Sequence, residues 1–147
     1  MWRPHLAELT APVFEEICRT WVRREFQDRV MQVGSWWGHA LNELRRSGER
    51  GTEEIDVVAL DGHSVTVVGE CRWRREPMGP DVLRHLNQFK MPALRQSGVR
   101  VAPDVQTVLF ARAGFTKGLR DDARQLGVQL VSLAQLCAED GARPPRE

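Results

Sequence analysis

Residues 54–73 read EIDVVALDGHSVTVVGECRW, and no other stretch limits the possible folds as sharply. Two apolar, β-branched runs are joined by Asp61-Gly62, the strongest short-range signal for a β-hairpin. Strands are therefore expected over 54–60 and 64–73. The run SVTVV has too few polar breaks for a strand with one wet face, so its strand is expected to be buried. Yet it ends in Gly69-Glu70-Cys71-Arg72-Trp73-Arg74-Arg75, and charges at the end of a buried strand are costly unless paired, bound to a metal or used. Asp56 raises the same question in the partner strand.

Around this hairpin the chain alternates helical and strand patterns. Thr10-Ala11-Pro12 is a helix start, with a hydroxyl at the N-cap and proline in the first turn. Phe14, Ile17, Cys18, Trp21 and Val22 then follow an amphipathic stripe, with Glu15, Glu16, Arg19, Arg23 and Arg24 on the other face. A short strand is expected at 32–38, and a loop over the polar, glycine-containing 43–54. Met78-Gly79-Pro80-Asp81 starts a helix to about Gln96, with Leu83, Leu86, Lys90 and Leu94 at helical spacing and Pro92 expected to kink or end it. TVLFA (107–111) reads as a strand buried on both faces. A helix over 116–126 is closed by Gly127, a strand follows at 128–133, and 134–137 begins a last turn. The order α-β-β-β-α-β-α-β gives an α/β fold, with the first three strands antiparallel and the later ones returning in parallel through helices. One domain over 1–138 with a flexible tail at 139–147 is expected.

Composition bounds the function less tightly. The 147 residues carry a formal net charge of +1, so global electrostatics select no partner. Of the 21 basic residues only Lys90 and Lys117 are lysines, and arginine is the better bidentate reader of phosphate. Cys18, Cys71 and Cys137 show no CxxC spacing, so free thiols in a reducing cytoplasm are expected. Residues 1–10 lack the apolar run of a signal peptide, and no stretch is long enough for a membrane span.

Side chains two apart on a strand share a face, which puts Glu70 and Arg72 together and Cys71 and Trp73 opposite. A tight turn at Asp61-Gly62 sets Asp56 level with them, on the face opposite to Ile55, Val57 and Ala59. Two carboxylates converging near a cation form a hard-oxygen site suited to Mg²⁺, to which the Cys71 carbonyl can add a ligand. Trp36-Trp37 reads as core on one side and edge cover on the other, with base stacking as the alternative. His39 and His85 share no ligand spacing.

The pattern Asp56–x13–Glu70–x–Arg72, across a hairpin and after a helix carrying Glu16, resembles the PD-(D/E)xK restriction-endonuclease-like superfamily. FEEICR (14–19), VGSWWG (33–38), EEIDVVAL (53–60), VVGECRWR (67–74) and FARAGFTKGL (110–119) are similar, in that order, to a C-terminal domain of unknown function on archaeal and bacterial AAA+ ATPases. The resemblance runs from about Phe14 to Leu136. It implies a restriction-endonuclease-like core, a mixed central sheet flanked by helices, and Mg²⁺- or Mn²⁺-dependent hydrolysis of DNA. Asp56 and Glu70 would hold the metal, Glu16 would be an accessory acid, and Arg72 would stand where the motif lysine contacts the scissile phosphate. Gln88 would contact substrate, and Arg74 and Arg75 would rim the site against DNA phosphates. An arginine cannot act as a general base, because its pKa exceeds about 12. An electrostatic role survives the change from lysine. The alternative is a catalytically silent nuclease fold for DNA binding or dimerisation. A homodimer and an ATPase module, in the same chain or separate, are the implied partners.

Overall fold

The computed structural model describes residues 10–48 and 51–142. Helix α1 (Ala11–Glu25) starts as its sequence requires: Thr10 is extended at the N-cap, and proline lies in the first turn. The Thr10 hydroxyl makes no capping bond; its carbonyl instead accepts the Phe14 N–H at 2.9 Å. Phe14, Cys18, Trp21 and Val22 are buried, which is the expected stripe.

Five strands form one sheet in sequence order: β1 (Gln32–His39), β2 (Thr52–Asp61), β3 (Ser64–Arg72), β4 (Arg100–Ala111) and β5 (Gln129–Ser132). The β1–β2 and β2–β3 pairs are antiparallel, while β3–β4 and β4–β5 are parallel. The turn between β2 and β3 consists of Gly62 and His63, with Gly62 at φ 63°, a backbone state that glycine adopts without steric cost. Directions follow from this pairing. The C-terminal ends of β1, β3, β4 and β5 and the N-terminal end of β2 all lie at one end of the sheet.

Each face of the sheet has its own core. Helix α1 covers Val57, Ala59, Val67, Cys71, Val108, Phe110 and Val131, and the Trp21 and Phe110 rings meet edge to face with centroids 5.5 Å apart. The other face carries Ile55, Val58, Val65, Val68 and Leu109 under α3 (Pro80–His85), a π turn (Leu86–Lys90), α4 (Met91–Gln96) and α5 (Lys117–Leu126). A final helix, α6 (Leu133–Ala142), packs Leu136 into the α1 side.

Several elements differ from expectation for identifiable reasons. Part of the expected loop at 43–54 is the short helix α2 (Asn42–Ser47), closed by Gly48 at φ 75°. Strand β2 begins at Thr52 because β1 runs on to pair His39 with Thr52. Strand β4 begins at Arg100, where its polar residues pair with the start of β3. An irregularity over 102–105 holds Pro103, which cannot donate to a ladder. Pro92 neither ends nor breaks its helix; the turn just before α4 widens to π form instead, and the helix continues. The last helix carries helical backbone to Ala142, into the expected tail, of which residues 143–147 lie outside the described residues.

Gly69 sits where β3 is most tightly enclosed. A Cβ there would lie 2.7 Å from the Val108 carbonyl oxygen and 3.3 Å from the Val57 Cβ. Gly69→Ala is therefore expected to destabilise the domain by roughly 1–3 kcal/mol through overpacking, a change that urea unfolding measures directly.

Candidate active site

The site begins with a fault in the β-ladder. Between the pairs Gly34↔Val58 and Trp36↔Ile55, β2 has two residues, Asp56 and Val57, where β1 has only Ser35. This is a β-bulge, and it re-aims the side chains around it. Ile55 consequently packs with the helical layer of α3 and α4, while Val57 and Ala59 pack under α1. The simple alternation that put Ile55, Val57 and Ala59 on one face is therefore corrected.

Pairing of β2 with β3 stops at Val57↔Gly69. Beyond it, the Asp56 carboxylate takes the place of the next backbone acceptor: the Cys71 N–H donates to Asp56 Oδ2 at 2.9 Å. From the other side, Arg19 Nη1 donates to the Asp56 carbonyl at 3.0 Å. Asp56 is thus held by β3 and by α1, in an opening between two strands.

Glu70 faces the helical layer and is only 4 % exposed. Its carboxyl group lies within hydrogen-bonding reach of Asp56, and its Oε1 is ion-paired with the Lys90 ammonium. Burial and then the charge of Asp56 push the Glu70 pKa up to about 8, against which Lys90 acts only partly. Lys90 ends the π turn, and its side chain is 16 % exposed. The sequence carried a signal for it: in a chain with two lysines, one occupies a leucine stripe, where an ammonium needs a partner.

The remaining expected residues fall around this centre. Arg72 is half-buried at the end of β3, two residues from Glu70 on the same face, and its carbonyl accepts the Arg112 N–H at 3.1 Å. Arg74 and Arg75 are exposed in the bend after β3. Glu16 is exposed and pairs with Arg19 at 3.0 Å, so it reaches Asp56 only through that arginine. Its neighbour Glu15 is the acid that senses the site: burial and the charge of Asp56 raise its pKa, with Glu54 adding to the effect. Gln88 is exposed on the π turn. Residues two apart on such a turn do not face each other, so Gln88 is directed away from Lys90. His85 is no ordinary surface position, because its Nε2 lies 3.1 Å from Oε2 of the buried Glu53.

Behind the site Cys18 and Cys71 are both buried. Contact with Cys18, and then burial, holds the Cys71 thiol well above its ordinary range, the state of an inert core thiol. Among the described residues no three His, Cys, Asp or Glu side chains gather as a metal cluster. Asp56 and Glu70 are two hard carboxylates that repel each other in a buried place. That donor set fits Mg²⁺, which is held by one or two carboxylates and keeps several waters.

Fold and site together define a mixed α/β domain, a five-stranded sheet flanked by helices, with a dicarboxylate between its second and third strands. The chain belongs to the DUF234 family, described as archaea bacterial proteins of unknown function, whose model matches residues 2–87. No curated protein matches the sequence. Its fold is similar to that of a solved protein of unknown function, AF1548, at a TM-score of 0.53 and 13 % identity. That match covers 88 % of this chain and 68 % of the other. Among the described residues no helix is long and apolar enough to cross a membrane.

The raised Glu70 pKa has a consequence for stability. In the unfolded chain Glu70 loses its proton near the ordinary value of 4.5, in the folded domain only near 8. Between these values the folded state binds more protons, so its stability falls as pH rises. Metal-free domain is expected to unfold at progressively lower temperature from about pH 5 to pH 8, and Glu70→Gln is expected to flatten that slope. Thermal melts across this range in the presence of a chelator measure both.

Proposed function

We propose that this domain is an Mg²⁺-dependent endonuclease of the PD-(D/E)xK kind, hydrolysing DNA phosphodiester bonds. The observation that carries the reading is the convergence of Asp56 and Glu70 at a β-bulge with the Lys90 ammonium on Glu70. Asp56 and Glu70 would hold the ion, Mg²⁺ or Mn²⁺, which when bound activates water and offsets charge developing on the phosphate.

The chain's own residues supply the rest. The Cys71 N–H and the Arg19 guanidinium hold Asp56 in place. Lys90 brings a positive charge into a site largely shut off from water, where a charge acts more strongly on a phosphate than it does in solvent. It takes over the part of the motif lysine that Arg72 cannot play, since an ammonium can give up a proton and a guanidinium cannot. Arg72 is left to bind phosphate bidentately. Glu15, rather than Glu16, is the accessory acid of this reading. Cutting both strands of a duplex requires two such sites, so the active form is proposed to be a homodimer. Membership in DUF234 is consistent with an AAA+ ATPase module as partner, in the same chain or separate.

Incubating plasmid and linear DNA with Mg²⁺ or Mn²⁺ tests the reading. Wild type is expected to cleave, and Asp56→Ala and Glu70→Ala to fall to background. Lys90→Ala is expected to lose about 10²–10³-fold in kcat, the scale for removing one stabiliser of developing charge. Arg72→Ala should chiefly weaken substrate binding. Equal background from wild type and both carboxylate variants would leave the fold as a binding or dimerisation module.

A further inference from the structure

Strand β1 is one edge of the sheet, and among the described residues no strand lies on its outer side. The opposite edge, β5, has only four residues and leads straight into α6. β1 has eight, with no proline and no Asp, Glu, Lys or Arg. Folded proteins guard so long an edge with lysine, proline or a cover, because its unpaired N–H and C=O groups are a template for another strand. The bulge opposite Ser35 places its extra residue in β2, so β1 itself stays regular. Residues 30–42 are thirteen consecutive positions without Asp, Glu, Lys or Arg, in a chain that is 28 % charged.

Two of the four large apolar side chains exposed among the described residues mark the ends of this edge. Met31, just before β1, is 74 % exposed, and Trp37, near its end, 69 %. Val33 packs toward α1 and Trp36 toward the opposite helical layer. Alternation therefore puts Met31, Val33, Ser35 and Trp37 on the α1 face. The Met31 N–H donates inward, to the Leu60 carbonyl at 2.8 Å. By the same alternation Gln32, Gly34 and Trp36 direct their backbone groups outward.

Such an edge is complementary to itself. A second β1 laid antiparallel, with the two-fold axis at Gly34, sets Gln32 opposite Trp36, so outward-directed residues meet outward-directed ones. The same register sets Met31 of each copy opposite Trp37 of the other. Cross-strand partners share a face, and here a thioether meets an indole ring. A charge beside a two-fold axis faces its own image, and this strand brings none. At the axis there is open space: a Cβ added to Gly34 would meet nothing within 4 Å. Both helical layers are centred on β2–β4, which leaves the outer side of β1 clear.

We infer that β1 is a self-association edge: two copies of this chain join antiparallel β1 strands, Met31 against Trp37 at both ends, into one continuous sheet. Oligomeric state is read without DNA or metal, so the inference neither needs the nuclease reading nor falls with it. It assigns an interface to the dimer proposed there.

Sedimentation equilibrium and crosslinking test it. Wild type is expected at twice the chain mass at micromolar concentration. Trp37→Lys, whose ammonium would lie beside Glu54 of its own chain, and Met31→Glu should each lose the dimer and keep the far-UV circular dichroism of wild type. The double variant Met31→Glu/Trp37→Lys should recover it, because this register sets the two new charges opposite each other. Gln32→Pro removes an outward N–H and spares the β2 ladder, so it should also be monomeric. Cys137 is exposed and is replaced by serine for crosslinking. Met31→Cys mixed with Trp37→Cys should then give a covalent dimer under mild oxidation, and neither variant alone should. A wild type that is monomeric throughout overturns the inference, as does a dimer that survives both Trp37→Lys and Gln32→Pro. Where a variant fails to fold, the crosslink decides, and absence of the mixed covalent product overturns it.

Discussion

The bond from the Cys71 N–H to the Asp56 carboxylate is the contact on which this site depends. Two antiparallel strands normally exhaust each other's backbone donors, and nothing is left to hold a side chain. Here the bulge at Asp56 stops the ladder at Val57 and Gly69, and a carboxylate fills the vacancy. There the Asp56 side chain substitutes for a backbone carbonyl. A second carboxylate can then be placed beside the first, in a setting whose low polarity makes the pair electrostatically tense.

That tension is partly offset by one cation, while a second anchors the Asp56 backbone from another layer. Lys90 descends from the helical layer onto Glu70, and Arg19 rises from α1 onto the Asp56 carbonyl. Neither cation comes from the strands themselves. Removing one buried partner of such a set leaves a desolvated charge behind, a larger penalty than the pair's net contribution. Each group is therefore required by the others.

The hairpin, the mixed strand directions and the two carboxylates were legible because they rest on local rules: turn chemistry at Asp61-Gly62 and the two-residue period of a strand. The bulge was not, since a one-residue offset belongs to the pairing of β2 with β1 and leaves no mark in either strand alone. That Glu15 lies within the influence of Asp56 was hidden for a similar reason. Both lie on the polar side of α1, and only the packed position of the helix on the sheet turns Glu15 toward Asp56. Lys90 was in plain view at a leucine spacing, but its partner is a strand residue on the other side of a loop. Pro92 was expected to disturb its helix and did; the form of the disturbance, a wide turn rather than a break, depends on the sheet beneath continuing to hold Leu86 and Leu94.

The π turn makes Lys90 an adjustable part. A π turn holds one residue more than an α turn, so deleting any residue within 86–90 would restore ordinary α-helical phase. Everything on the N-terminal side of the deletion would then rotate by about 100° relative to α4. Either the cation or the buried Val82 and Leu83 of α3 would lose their place. The extra residue thus works as a phase shifter that lets one helix satisfy an apolar floor and a charged carboxylate at once. The connection before α3 is fixed as well, because Met78 is buried in the core and bridged to Phe115, so the phase of the helix is set against a pinned start.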